Sequence, residues 1–205
     1  MCLMKSKMKK KELEIILQKI PDIPKPSPTL EQYSTPADIA ADILFNAYQD
    51  IAGKNVADLG CGTGIFSVGA KLLGAKNVVG IDIDEKAVDA AKECSEKRGL
   101  KIDYRIMDVK DFDEKCDTVI QNPPFGAQTR HADRIFLQKA LEIGSVVYTL
   151  HLSKTADFVR KFVDNLGGRV VFEKKYKFQI KHTFNFHKKE KAEFEITVFK
   201  VMVIK

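Results

Sequence analysis

The sequence lacks the features of a membrane protein, a zinc protein or a disulfide-rich protein. No apolar run approaches the roughly 20 residues that cross a bilayer. Four cysteines occur in 205 residues, and none forms the C-x-x-C pair typical of zinc sites. The lysine-rich residues 5–11 precede no apolar segment of the kind found in signal peptides. We therefore expect reduced thiols, no metal, no membrane contact and a cytoplasmic location, or a nuclear one where the cell has a nucleus.

Composition and charge indicate a folded domain with a possible acidic partner. Hydrophobic residues make up 44% and charged residues 30%, which is typical of globular proteins. The net charge is +6. A basic balance favours nucleic-acid binding without establishing it, because many basic proteins only carry a solvated lysine-rich surface.

The first thirty residues differ in pattern from the rest. Residues 9–20 have the apolar spacing of a short amphipathic helix, and the prolines that follow predict an extended connector over 21–29. Thr35 is expected to cap a helix that runs to about residue 50. We accordingly predict an N-terminal helix and connector over 1–30 and a main domain over 31–205.

Short apolar strands then alternate with amphipathic helices as far as residue 166. This order predicts a parallel sheet with helices on both faces. Two long strand-like segments, 170–180 and 193–204, end the chain. The expected fold is α/β and Rossmann-like, with a mostly parallel seven-stranded sheet and a C-terminal antiparallel hairpin.

A glycine-rich loop follows the first strand of the alternating region. It reads Val56-Ala57-Asp58-Leu59-Gly60-Cys61-Gly62-Thr63-Gly64, and Asp82 ends the next strand. Glycines let a backbone approach a ligand closely, and an acid at that place accepts ribose hydroxyls. The third glycine of the dinucleotide motif is absent, since Ile65, Phe66 and Ser67 follow Gly64. The motif therefore favours S-adenosylmethionine, with Asp58 near its polar end, over a dinucleotide. Asp108 and Val109, after the third strand, are candidates for contacts with the adenine ring.

The most specific motif is Asn122-Pro123-Pro124-Phe125, which follows the fourth strand. The Asn122 side-chain oxygen and the Pro123 carbonyl suit the two hydrogens of a planar amine, and Phe125 offers a ring on which a base can stack. A methyl group transferred in line needs positioning more than a strong base. The motif thus predicts methylation of a conjugated amine on an unstacked base.

The C-terminal part is basic and aromatic. From residue 154 to residue 191 there are eleven lysines and arginines against four acids, interleaved with phenylalanine and histidine. Such a pattern suits a phosphate backbone with unstacked bases, although it also fits a solvated hairpin face. His151, at the end of the fifth strand, is either a substrate contact or a core histidine.

Taken together, these motifs resemble the methyltransferase-like 5 family of RNA adenine methyltransferases. The resemblance spans nearly the whole chain and includes Leu30-Glu31-Gln32-Tyr33 with Thr35, Asp82-Ile83-Asp84-Glu85, Leu150-His151 and Phe186-His187-Lys188-Lys189. The chain departs from the family at Ser34, where proline is frequent, and at Thr63, where some members have cysteine.

The resemblance implies methylation of the 6-amino group of an adenosine in small-subunit rRNA. It also implies a heterodimer with a small zinc-binding activator subunit. The cofactor contacts expected from the resemblance and the loop are Gln32, Thr35, Asp58, Gly60, Gly62, Thr63, Gly64, Ile65, Asp82, Ile83, Asp108 and Val109. Catalysis is assigned to Asn122, Pro123, Pro124 and Phe125, and RNA contacts to Phe125, His151, Lys181, His187, Lys188 and Lys189.

Other functions fit the same motifs. The N-P-P-aromatic loop also suits a protein glutamine amide, a guanine amine or a DNA adenine, since each presents a planar NH₂ group. A non-catalytic subunit that binds the cofactor and RNA is a further alternative, and a dinucleotide oxidoreductase is another.

Overall fold

The structure is a computed structural model and describes residues 8–23, 33–125, 132–181 and 191–204. Of the predicted site residues, Gln32, His187, Lys188 and Lys189 lie outside the described residues. Its helices are α1 (Lys10–Leu17), α2 (Ala37–Asn46), α3 (Tyr48–Ile51), α4 (Ile65–Leu72), α5 (Glu85–Glu96), α6 (Ala132–Ile143) and α7 (Ala156–Asn165). Its strands are β1 (Asn55–Leu59), β2 (Asn77–Asp82), β3 (Asp103–Ile106), β4 (Cys116–Gln121), β5 (Gly144–Leu152), β6 (Gly168–Lys181) and β7 (Lys191–Val203).

The seven strands form one sheet in the order β3-β2-β1-β4-β5-β7-β6. Strands β1 to β5 run parallel to one another, and β7 runs antiparallel to both β5 and β6. The predicted fold class is therefore confirmed, with the C-terminal hairpin at one edge and β7 placed against β5. The β6–β7 pairing continues to Lys181 and Lys191, beyond the point where β5 ends.

Alternate residues of the central strands enter two hydrophobic cores. In β4, Ile120 faces a core shared with α1, α2 and α4, whereas Val119 faces a core shared with α6 and α7. Side chains of successive strand residues point to opposite faces, so an all-apolar strand needs cover on both. This explains why the short strands of the sequence are apolar runs rather than alternating ones.

The N-terminal helix is part of the main core. Leu13 and Leu17 of α1 are buried in the same cluster as Leu44 of α2 and Val68 of α4. Burial of each leucine contributes about 1.5–3 kcal/mol. Although the sequence suggests an appendage over residues 1–30, α1 completes the cover of one sheet face.

Two local expectations before the sheet were wrong. The helix expected from residue 35 to residue 50 is interrupted at Ala47, which separates α2 from α3. Thr35 does not cap α2, because Pro36 occupies the N-cap and no side-chain cap is formed. The Thr35 hydroxyl instead accepts a hydrogen bond from Asn122. Within the described residues, no helix is long and apolar enough to span a bilayer.

Candidate active site

The topology brings the two sequence motifs together. Strands β1 and β4 are neighbours, although β1 is followed in the chain by β2 on its other side. The order of the sheet reverses between β1 and β4, and ligands of open α/β sheets bind at the carboxyl ends of strands at such a switch point. The glycine loop leaves β1 there, and Asn122–Phe125 leaves β4 beside it.

The glycine loop needs its glycines for conformation as well as for space. Gly60, Gly62 and Gly64 all have left-handed φ angles, of 69°, 52° and 85°. A Cβ added to Gly64 would lie 2.4 Å from the Tyr104 hydroxyl oxygen, so no other residue fits there. Gly60 and Cys61 donate hydrogen bonds to the Ile81 carbonyl. These two hydrogen bonds hold the loop close to the end of β2.

Asp58 has a structural partner that the motif did not reveal. It is 1% exposed, and its Oδ2 accepts hydrogen bonds from the Ser67 backbone nitrogen at 2.9 Å and the Ser67 hydroxyl at 2.6 Å. Because the N-cap of α4 is Gly64, which has no side chain, Asp58 supplies the missing cap from β1. Burial raises its pKa to about 7. Its Oδ1 is buried without a hydrogen-bond partner among the described residues, and this oxygen remains the one through which Asp58 can meet a ligand.

Asp82 lies where the sequence spacing places an acid for a ribose. Its Oδ2 accepts from the Gly62 nitrogen at 2.8 Å and its Oδ1 from the Asp84 nitrogen at 3.0 Å. These bonds hold the carboxylate beside the glycine loop. Burial raises its pKa, although the backbone hydrogen bonds act in the opposite sense. Each carboxylate oxygen keeps a lone pair for a further donor.

Three further residues predicted to contact the cofactor follow β2 and β3. Ile83, directly after Asp82, is 56% exposed and so offers apolar surface beside the carboxylate. Val109 is buried, and Asp108 accepts from the Lys110 nitrogen at 3.0 Å as the cap of a single 3₁₀ turn. Asp108 therefore caps this turn, a structural role that stands beside the adenine contact predicted from the sequence.

Thr63 is engaged by the N-terminal connector. Its hydroxyl donates to the Pro21 carbonyl at 2.8 Å, and Ile23 lies against the Gly62 backbone. The hydroxyl hydrogen of Thr63 is therefore engaged by the connector, and the predicted contact of Thr63 with the cofactor stays a prediction. Ile65, the first residue of α4, packs partly buried against the core of α1 and α2.

The Asn122 amide is oriented by a residue far away in sequence. Its Nδ2 donates to the Thr35 hydroxyl at 3.1 Å, across 87 positions of the chain. Its Oδ1 is buried and has no hydrogen-bond partner within the described residues. A buried acceptor without a donor costs about 1–3 kcal/mol, so the oxygen indicates a missing donor in the site.

Phe125 lies close to the same segment. The rings of Phe125 and Tyr33 are nearly parallel, at 17°, with centroids 6.4 Å apart. Pro123 is buried and Phe125 is partly buried, so the loop is anchored at both ends. Thr35 and Tyr33 thus contact the first and last residues of the motif, a pairing that no local sequence signal predicts.

His151 belongs to the core rather than to the surface. It is 2% exposed, and its Nε2 is 2.9 Å from the Thr149 hydroxyl, which accepts from the Gln121 amide at 3.0 Å. Burial lowers its pKa to about 4. The expectation of a direct RNA contact is therefore corrected, because the imidazole is buried and packs edge-on against Phe199.

Part of the basic C-terminal segment is neutralised by acids. Lys174 pairs with Asp42, Lys175 with Glu195, and Arg160 with Glu173 and Asp157. The count of charges in the sequence overstates the free positive charge for this reason. Lys181 ends β6 in the projecting part of the hairpin, where the sequence places an RNA contact.

Comparison with known proteins agrees with this geometry. Residues 33–164 match the family described as the methyltransferase small domain. The rRNA N(6)-adenosine-methyltransferase METTL5 of Danio rerio is 38% identical, over 92% of this chain and 96% of its own length. Its Drosophila melanogaster counterpart is 33% identical over 93% and 95%. The crystal structure of a Pyrococcus horikoshii protein, provisionally titled an RNA methyltransferase, is 42% identical with a TM-score of 0.90 and covers 96% of this chain and 99% of that one.

The fold and the two loops at its switch point define an S-adenosylmethionine-dependent methyltransferase of the Rossmann-like class. Within that class, the chain belongs to the methyltransferase small domain family and, more narrowly, to the METTL5 family.

Proposed function

We propose that the chain methylates the 6-amino group of an adenosine in rRNA, specifically in small-subunit rRNA. The observation that carries the proposal is the buried, unpartnered Oδ1 of Asn122 at the switch point of the sheet. An adenine amine has two hydrogens to donate, and Asn122 Oδ1 accepts one of them. The rRNA adenosine named for the METTL5 relatives supports this choice of substrate.

The residues of the pocket fit the cofactor. S-adenosylmethionine, when bound, supplies an electrophilic methyl group next to a positive sulfur. Asp82, held beside the glycine loop, would accept from the ribose hydroxyls, and the exposed Ile83 would offer apolar surface to the adenine. Gly60 and Gly62 have left-handed φ angles, which let the loop turn sharply at the carboxyl end of β1, where the methionine part would lie. Asp58 Oδ1 provides a buried acceptor for a polar group at that end.

The contribution of the chain to methyl transfer is orientation of the amine. Asn122 Oδ1 and the Pro123 carbonyl accept its two hydrogens, which directs the nitrogen lone pair towards the cofactor side of the site. Holding reactants in line accounts for up to about 7–11 kcal/mol of barrier reduction in oriented reactions. Phe125 offers a ring to the base, which must leave its stack to reach the loop.

RNA binding is assigned to the projecting hairpin with Lys181, and to His187, Lys188 and Lys189, which lie between β6 and β7 in the sequence. The hairpin extends beyond β5 at the carboxyl end of the strand, on the side of the sheet where Asn122 lies. It thus borders the site that the target base enters.

A small zinc-binding activator subunit is the proposed protein partner, on the basis of the family resemblance. The apolar side chains exposed on the edge strands, Ile106 of β3 and Phe172 of β6, are surfaces that a partner can cover. A second subunit that raises the thermal stability of the chain on mixing supports this pairing, and chains that do not associate at micromolar concentration contradict it.

The deciding test is transfer of labelled methyl from S-adenosylmethionine to unmodified small-subunit rRNA, followed by digestion to nucleosides. The reaction is run with and without the activator subunit. Label in 6-methyladenosine is the expected result. If cofactor binds but no RNA is labelled under either condition, the proposed substrate is wrong, and a protein glutamine amide or DNA adenine becomes the substrate to test.

A further inference from the structure

A short segment in front of α2, Tyr33–Pro36, crosses the amine site. It contacts both ends of the Asn122–Phe125 loop, through the hydrogen bond from Asn122 to Thr35 and the stacked rings of Tyr33 and Phe125. Thr35 is buried. Since it does not cap α2, its hydroxyl has no helix-capping role that would account for its position.

The orientation of the Asn122 amide decides what the site can bind. An asparagine side chain has a donor end and an acceptor end, which exchange places when the amide rotates by half a turn. A donor end that faced the substrate would repel the hydrogens of an amine. In the structure the donor end is occupied by Thr35, and the acceptor end is left for the site.

We propose that Thr35 is a positioning residue, whose hydroxyl accepts from Asn122 Nδ2 and so keeps Asn122 Oδ1 directed at the substrate amine. The inference rests on the proposed function, because it assigns the unpartnered oxygen to that amine. It differs from the cofactor contact that the family resemblance implies for Thr35. It also differs from a purely structural role, since it acts on the turnover rate through a second side chain.

Two variants separate these roles. Thr35→Val keeps the shape of the side chain but removes the hydroxyl, and Thr35→Ser restores it. We expect kcat for methyl transfer to fall roughly 10- to 100-fold in Thr35→Val, as for other losses of reactant orientation. The KM for RNA and the Kd for S-adenosylmethionine should stay within about twofold of wild type, and Thr35→Ser should recover most of kcat.

Thr118→Val is the matched control. Thr118 is a buried threonine of β4, the strand that carries the Asn122 loop, and its hydroxyl donates to the Asp50 carbonyl at the far end of that strand. The Thr118→Val variant therefore loses a buried hydrogen bond of the same kind, but at a position that does not contact the site. Its thermal stability should fall, but its kcat should match the wild type.

The side-chain amide of Asn122 can be observed without any substrate. Its proton signals in a spectrum of nitrogen-labelled protein are assigned by their loss in Asn122→Ala. In Thr35→Val these signals should shift and exchange faster with water, whereas in Thr118→Val they should not. Unchanged signals, an unchanged kcat or a loss that resides mainly in cofactor affinity would each overturn the proposal. If the wild-type chain labels no RNA, the proposed function fails, while the amide signals still decide the role of Thr35.

Discussion

Asn122 and Asp82 have different proposed roles in the site: Asn122 binds the substrate amine, and Asp82 binds the cofactor. Asn122 has its free oxygen at the end of β4, and Asp82 has its carboxylate at the end of β2, on the other side of β1. We expect Asn122→Ala to abolish methyl transfer and to leave the affinity for S-adenosylmethionine nearly unchanged. Asp82→Ala should weaken cofactor binding first. Calorimetric titration beside the labelled-methyl assay checks both, and loss of cofactor binding in Asn122→Ala would contradict the division.

His151 makes the stability of the protein sensitive to acid. Its folded-state pKa of about 4 lies below the ordinary value of 6.5, so the unfolded chain binds more protons between these values and stability falls as pH is lowered through them. Between pH 7.5 and pH 5 the loss is about 2 kcal/mol. His151→Gln should lose less free energy of unfolding than wild type over that range, as measured by urea unfolding. Parallel pH curves for the two proteins would show that burial does not shift the histidine. The raised pKa of Asp58 changes stability with pH in the opposite direction. Because both proteins contain Asp58, its effect cancels in the comparison.

At the scale of elements, the first turn of α4 depends on a residue of β1. Asp58 accepts two hydrogen bonds from Ser67, and the cap position itself is glycine. At pH 5, where the raised pKa leaves Asp58 protonated, Asp58→Ala should lower the free energy of unfolding by about 0.5–1.5 kcal/mol for each lost hydrogen bond, the range for neutral groups. Urea unfolding measures this effect. Cofactor titration of the same variant then shows whether Asp58 Oδ1 adds a ligand contact, and a variant as stable as wild type would exclude the cap.

Asp42 joins three elements that are distant in the sequence. Lying on α2, it accepts from Lys10 of α1 and from Lys174 and Tyr176 of β6. Burial alone would raise its pKa, but these three hydrogen bonds lower it to about 2. Its contribution, about 1 kcal/mol because solvent screens the exposed lysine partners, is present above pH 4 and is lost as pH falls through 2. Asp42→Ala should therefore be less stable at pH 7, and the difference from wild type should shrink in acid, which thermal unfolding at the two pH values tests.

At the scale of the whole molecule, the candidate site and the projecting hairpin lie at the same end of the sheet. The carboxyl ends of the strands carry the site and the projecting hairpin, whereas Lys54 and Lys76 precede β1 and β2 at the opposite end. If the hairpin binds phosphates, affinity for single-stranded RNA falls with salt at a slope of about −0.7 for each phosphate neutralised. Replacing Lys181, Lys188 and Lys189 by glutamine should reduce that slope by about 2. Lys54→Gln with Lys76→Gln is the control and should leave it unchanged, and an affinity independent of salt would contradict RNA binding by charge.

The sequence predicted the fold class and the position of both loops, and the physical reason is locality. Apolar runs, amphipathic helices and glycine or proline loops are determined by residues that are close in the sequence. Parallel strands joined by helices can then pack in only a few ways. The glycine loop after β1, Asp82 after β2 and Asn122 after β4 therefore meet where they were expected.

The partner of each polar side chain was not local and required the tertiary structure. Hydrogen bonds join Asp58 to Ser67 across a strand–helix turn, Thr63 to Pro21, and Asn122 to Thr35 across 87 positions of the chain. Burial also depends on which segments cover a residue. The sequence therefore left His151 as either a substrate contact or a core residue, and its packing against Phe199, which belongs to the core shared with α6 and α7, shows that it is buried. The alternation of strands and helices is set by neighbouring residues, whereas strand order and the partner and burial of each polar group depend on segments that only folding brings together.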